Sequence, residues 1–152
     1  MKVKIKKLTD KAVIPKYAKD GDAGLDLTAT SRRQDGAGFI EYGTSLAVEI
    51  PYGYVGLIFP RSSISKVNMS LTNSVGVVDS GYRGEIKFRF KPAGVGKGLY
   101  DVGERVGQLV VLPYPNIELE EVTELSETAR GDGGFGSTNV TINESGLVEG
   151  LE

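Results

Sequence analysis

The patterned segments of this chain are all short, each is bounded by glycine or proline, and none carries the period of a helix. Leu25-Asp26-Leu27-Thr28-Ala29, Leu46-Ala47-Val48-Glu49-Ile50 and Ile86-Lys87-Phe88-Arg89-Phe90 alternate apolar and polar side chains with a period of two. Val55 to Phe59 and Val106 to Leu112 are near-continuous apolar runs, as for well-buried strands. Ile117 to Leu125 carries a mixed pattern that also predicts a strand. The one helical turn suggested by spacing is Ser62 to Val67, with a serine as cap and Ile64 and Val67 three apart. Glycine supplies the punctuation, at 21 of 152 residues, roughly twice the usual share of about 7%. Many short strands separated by turn signals predict an all-β fold, a jelly-roll-like antiparallel barrel or sandwich.

A chain of 152 residues fits one domain and buries about 68–70% of its unfolded surface. The glycine run near residues 94–98 and Pro113-Tyr114-Pro115 are too short to be linkers. The expected layout is a β-barrel domain over residues 1–128, a glycine-rich arm over 129–138, and an acidic tail over 139–152 with too little apolar surface to order. No apolar run approaches the ~20 residues needed to cross a bilayer. The N-terminus lacks the apolar stretch of a signal peptide, which predicts an intracellular protein and makes the three Asn-x-Ser/Thr sequons chance matches.

Two absences limit the chemistry. With no Cys and no His, disulfides, thiolate metal sites, imidazole bases and every Ser-His or Cys-His arrangement are excluded. Acid–base work falls to Asp, Glu, Lys, Tyr or metal-bound water. Net charge is −2 but unevenly placed. Seven lysines fall within the first nineteen residues, which strand alternation explains with Val3 and Ile5 inward, and five glutamates lie between Glu118 and Glu127.

Five polar clusters could carry chemistry. Arg130-Gly131-Asp132-Gly133-Gly134-Phe135-Gly136-Ser137-Thr138 matches G-x-G-x-x-G, yet no buried strand precedes it and no helix follows, so neither a Rossmann turn nor a P-loop is expected. Its glycine amides, Arg130, Ser137 and Thr138 suit an anion, and Phe135 suits stacking on a planar ligand. Pro60-Arg61-Ser62-Ser63 ends an apolar strand and offers a second anion site at the predicted helical turn. Asn73 through Gly84 contains the turn signal Asp79-Ser80-Gly81 and reads structurally as a hairpin. Arg105-Val106-Gly107-Gln108 opens a core strand, and Asp22-Ala23-Gly24-Leu25-Asp26 puts a carboxylate on the polar side of another.

In order and spacing, Asp-Ala-Gly-Leu-Asp-Leu, Pro-Arg-Ser-Ser, Gly-Val-Val-Asp-Ser-Gly-Tyr-Arg-Gly-Glu-Ile, Gly-Glu-Arg-Val-Gly-Gln-Leu and Arg-Gly-Asp-Gly-Gly-Phe-Gly-Ser-Thr resemble the five-motif series of the trimeric dUTP pyrophosphatases, or dUTPases, across residues 22–138. Gly81 and Gly107 depart from the residues many members carry, Asp and Ala. The resemblance implies a homotrimer with sites shared among subunits, hydrolysing dUTP to dUMP and pyrophosphate with Mg²⁺. It implies Asp79 as the carboxylate that activates water and holds the 3′-hydroxyl. Tyr82 would pack under the deoxyribose and exclude a ribose, while Asn73 and the backbone of Gly76, Val77 and Val78 would form the uracil pocket. Arg61, Ser62, Ser63 and Gln108 would bind phosphates. Arg130, Phe135, Gly136, Ser137 and Thr138 would close over them as an arm, and Asp26 would meet Mg²⁺ through water. Arg105 is expected to brace the neighbourhood of Asp79 by ion pairing.

Two other readings share the strand pattern. A dCTP deaminase has the Arg-Ser-Ser element and a similar hairpin but lacks the arm. A non-catalytic nucleotide sensor would have lost Asp79, Arg61, Gln108 or Phe135, all of which are retained.

Overall fold

The computed structural model describes residues 1–92 and 98–134, with the backbone of 141–142 and 148–149. The chain divides into two compact units, Met1–Asn116 and Ile117–Glu152. In the first unit ten strands follow in order: β1 (Lys4–Lys7), β2 (Leu25–Thr28), β3 (Ser31–Gln34), β4 (Ile40–Gly43), β5 (Leu46–Glu49), β6 (Tyr54–Phe59), β7 (Met69–Leu71), β8 (Gly76–Val78), β9 (Lys87–Pro92) and β10 (Arg105–Pro113). Among the described residues there is no α-helix. No helix there is long and apolar enough to cross a membrane.

The strands form two four-stranded antiparallel sheets, β2-β10-β6-β8 and β3-β4-β9-β7, with β1 and β5 paired separately. Leu27, Ile58, Val78, Val106 and Leu109 from the first sheet share one core with Ile40, Tyr42, Met69, Leu71, Phe88 and Phe90 from the second. The all-β, jelly-roll-like expectation therefore holds. Period-two alternation is what makes this possible. In β9, Phe88 and Phe90 are buried while Lys87 and Arg89 are exposed, and each buried aromatic contributes about 1.5–3 kcal/mol of apolar transfer. Tyr42 meets Phe90 edge-on at 5.8 Å and Tyr100 at 6.1 Å. Its hydroxyl donates to the Tyr100 carbonyl at 3.0 Å. Burial pushes the Tyr42 phenol above its ordinary pKa, against the opposing pull of Arg32.

The β10–β2 register shifts between Arg105 and Gly107. A Cβ at Gly107 would overlap the fully buried Phe88 ring, so this glycine lets the sheets approach at that point.

Three expectations need correction. Ile117–Leu125 forms no strand: among the described residues it joins no ladder, and Ile117, Leu119 and Leu125 are exposed. Alternation without a strand edge to pair with does not suffice, and five neighbouring glutamates repel one another. The helical turn expected over Ser62–Val67 is present as a 3-10 helix, Ser62–Lys66, but its N-cap is Arg61 and no serine side chain caps it. Asn73–Gly84 is not a hairpin. It crosses between sheets, β7 pairing with β9 and β8 pairing with β6, and only the Asp79–Tyr82 turn survives, closed by Tyr82 N–H to Asp79 O at 3.0 Å.

In the second unit, Arg130 Nε donates to Gly133 O at 3.1 Å, and Thr141–Ile142 (β11) pairs antiparallel with Val148–Glu149 (β12). Most of the tail from residue 139 lies outside the described residues.

Candidate active site

β8 is the last strand of its sheet, so one backbone edge of Gly76–Val78 has no ladder partner among the described residues. A cavity of about 430 Å³ opens there, lined by Asn73, Gly76, Val77, Val78 and Tyr82, five residues singled out from sequence, together with Thr72, Ile58 and Ile86. A Cβ at Gly76 would strike Ile58 and approach Asn73 Nδ2. The missing side chain lets Ile58, the ladder partner of Gly76 on β6, pack against this strand. The opposite wall is charged. Glu41, on β4, lies opposite Arg89 of β9. It pairs with Lys87 at 3.2 Å and Arg89 at 3.5 Å, and Glu85 joins Lys87 at 3.8 Å. These four residues line the same cavity. The sequence shows Lys87 and Arg89 on the polar side of a strand, but only the β4–β9 register brings Glu41 beside them.

A second cavity, about 350 Å³, is lined by Asp22, Gly24, Asp26, Arg61, Ser62 and Gln108. At its centre Asp26 accepts from two guanidinium groups: Oδ1 from Arg61 Nε and Oδ2 from Arg105 NH1, both at 2.9 Å. Asp26 and Arg61 are partly buried, so the pair is shielded from solvent more than a surface bridge. Two guanidinium groups share this one carboxylate, and both arginines keep N–H donors uncommitted to it; the second carboxylate of the lining, Asp22, accepts from the Lys19 backbone N–H at 2.8 Å. Gln108 lies opposite Asp26 on β10 and donates to the Pro60 carbonyl at 3.2 Å. A Cβ at Gly24 would run into its amide.

The Arg105 expectation is thus corrected: its partner is Asp26, not a group near Asp79. Arg105 pairs across the β2–β10 ladder with Thr28, two residues along the same strand from Asp26, whereas Asp79 follows β8 at the far edge of the sheet. Asp79 itself is exposed and borders a shallow cavity with Tyr54, Val55, Ser80 and Tyr114. Ser63 lines neither main cavity. It faces a third, with Arg61, Lys66 and Arg105, and its Oγ is buried without a partner. Arg130 belongs to the second unit, and Phe135, Gly136, Ser137 and Thr138 lie outside the described residues.

For a divalent cation the donor set is sparse. Among the described residues no three Asp or Glu side chains cluster, and both oxygens of Asp26 already accept from arginine. That donor set suits only a hard cation that takes most of its ligands from elsewhere and keeps several waters.

A family model described as dUTPase matches residues 10–139. A deoxyuridine 5′-triphosphate nucleotidohydrolase of Crocosphaera subtropica is 39% identical over 142 residues, covering 92% of this chain and 100% of the relative. The enzyme of the same name from Escherichia phage T5 is 41% identical, covering 87% and 95%. Among solved structures, a mutant dUTPase of Staphylococcus bacteriophage 80alpha with dUpNHpp aligns at a TM-score of 0.79 and 27% identity, covering 91% of this chain and 99% of that one. A phage phi11 dUTPase mutant, described with a structural Mg(II) ion, aligns at 0.69 and 26%, covering 82% and 98%. On the match of sequence across nearly its whole length and of fold throughout, this chain belongs to the dUTPase family.

Proposed function

We propose that the family's reaction, hydrolysis of dUTP to dUMP and pyrophosphate, is divided in this chain between the two cavities, one reading base and sugar and the other holding phosphates. The observation that carries this reading is the single cavity uniting Asn73, the free edge of Gly76–Val78 and Tyr82. Uracil presents acceptor, donor, acceptor along one edge, and cytosine presents acceptor, acceptor, donor. A fixed backbone edge matched to the first leaves buried groups unpaired against the second, a mismatch worth about 10⁴–10⁵ in discrimination. In this reading the Tyr82 ring, which lines the same cavity, packs under the deoxyribose and leaves no space for a 2′-hydroxyl.

Arg61, Ser62 and Gln108 bind the phosphates in this reading, with Asp26 fixing the Arg61 guanidinium and Ser63 acting from the adjoining cavity. Arg130, Phe135, Gly136, Ser137 and Thr138 close over the triphosphate, by their match to the family's fifth motif. Asp79 orients a water and accepts its proton for in-line attack at the α-phosphorus, a role open to a carboxylate in a chain without histidine. Mg²⁺ bound to the triphosphate would neutralise its charge and stabilise that developing on the α-phosphoryl oxygens.

The assembly we propose is a homotrimer with sites shared between copies. Two observations support it. Within one chain the two cavities have no lining residue in common. The outward face of the β10-β6-β8 sheet also carries an apolar row, Val110, Leu57 and Val77 in register, flanked by Leu112 and Val55, and Val77 and Leu112 are exposed in the isolated chain. The setting we propose is intracellular, where a triphosphate substrate is retained.

The test is pyrophosphate release from dUTP, dTTP, dCTP and UTP side by side, with Mg²⁺ and with chelator. Turnover of dUTP alone, lost on chelation, is the expected result. Ammonia release from dCTP, or tight dUTP binding without turnover, would overturn it.

A further inference from the structure

We infer that Glu85 is a positioning residue for Tyr82 and, through it, for the choice of deoxyribose over ribose. This rests on the reading of Tyr82 given above. Tyr82 is about half exposed and sits in a loop with little local ladder, so its ring needs tethers to act as a wall. The structure provides them through one residue.

The Tyr82 hydroxyl donates to the backbone carbonyl of Glu85 at 2.9 Å. To do so the ring folds back over Gly84, where any Cβ would collide with it. The carboxylate of Glu85 reaches in the other direction: its Oε1 accepts from the backbone N–H of Ser45 at 2.7 Å. Ser45 occupies the left-handed region at φ 53°, at the tight corner between β4 and β5, so that its N–H points out of the corner toward Glu85. Gly43 leaves the space the carboxylate fills, since a Cβ there would come within 2.7 Å of Glu85 Oε1. The next residue is bound to the same corner. Ile86 N–H donates to Leu46 O at 2.8 Å, and its carbonyl accepts from Thr44 Oγ1 at 2.7 Å.

The backbone of Tyr82 is closed into its own turn by the bond to Asp79 O and braced by Arg83 at 2.8 Å, whereas the hydroxyl end of the ring is held from the β4–β5 corner through residue 85. The Glu85 carboxylate joins the two at residue 85 itself, beside the backbone bonds of Ile86. A Glu85 that merely stabilised the fold would affect both nucleotides alike; one that holds the Tyr82 wall affects UTP and dUTP unequally.

The experiment compares kcat/KM for dUTP and UTP in Glu85→Ala, Glu85→Gln, Tyr82→Phe and Tyr82→Ala, with thermal unfolding as a check on folding. Glu85→Ala is expected to lower the dUTP/UTP ratio about tenfold or more, and Glu85→Gln, which keeps an acceptor for Ser45 N–H, to hold it within about threefold. An unchanged ratio in Glu85→Ala, alongside a collapsed ratio in Tyr82→Ala, overturns the inference and spares the reading of Tyr82. A ratio unmoved by Tyr82→Ala overturns that reading itself. Should Glu85→Ala fail to fold, Tyr82→Phe decides: loss of the tether to the Glu85 carbonyl should lower the ratio severalfold, and no change overturns the inference.

Discussion

The cavity at the β8 edge and the cavity around Asp26 are built on opposite principles. The first takes five of its lining residues from Asn73–Tyr82 and sets the backbone of a terminal strand opposite a wall of paired charges. The second gathers side chains distant in sequence: Asp26 and Arg61 are 35 residues apart, and Asp26 and Arg105 are 79. Backbone edges are rigid and read one hydrogen-bonding pattern, which suits a base. Converging arginines are charged and extensible, which suits phosphates that shift as a bond breaks. A substitution in the first should therefore change what is accepted, and one in the second how tightly it is held.

The largest effect separates both from the chemistry. Asp79→Asn should leave dUTP binding nearly intact and lower turnover by about 10²–10⁴-fold, measured as single-turnover pyrophosphate release; near-normal turnover would remove Asp79 as the base. Asp26→Ala leaves the partly buried Arg61 guanidinium and the more exposed Arg105 without their shared anion. It should cost about 1–3 kcal/mol of stability in urea unfolding and raise KM for dUTP without altering the dUTP/UTP ratio. A changed ratio would erase the distinction between the cavities.

Smaller effects probe the packing beneath them. Gly107→Ala must displace the Phe88 ring and should destabilise the fold by about 1–3 kcal/mol, with KM for dUTP little changed. A stability within a few tenths of the parent would mean Phe88 has room to move. Tyr42 yields the smallest effect and a pH dependence. Its pKa is raised in the fold because burial disfavours the phenolate, so its neutral form contributes stability that is full below the ordinary tyrosine pKa. That contribution is lost as pH rises through the raised value. Tyr42→Phe gives up the bond to the Tyr100 carbonyl, at a cost of about 1 kcal/mol, and should flatten the alkaline limb of a stability–pH profile. An unaltered limb would assign it to other groups.

Legibility in the sequence followed range. Asn73, Gly76, Val77, Val78 and Tyr82 are close along the chain, and the structure gathers them in one cavity; their turn signals and glycines mark a special backbone before any fold is known. Asp26, Arg61 and Gln108 were legible as polar residues at strand ends, but the bonds from Arg61 and Arg105 to one carboxylate were not. Glu41, Glu85 and Lys87 carry no site signal in the sequence, because strand alternation gives a face, not a neighbour across the ladder. The same limit explains Ile117–Leu125, whose alternation resembles a strand but which joins no ladder among the described residues.

The sequence by itself determined the class of fold, through alternation that buries one face of each strand, and the chemistry, by excluding histidine and cysteine and spacing five polar motifs in order. Tertiary structure alone decided which strand edge stays free, which arginines share Asp26, and which corner holds Tyr82. Register, sheet order and ion pairing depend on which distant segments meet, and local propensity carries no information about that.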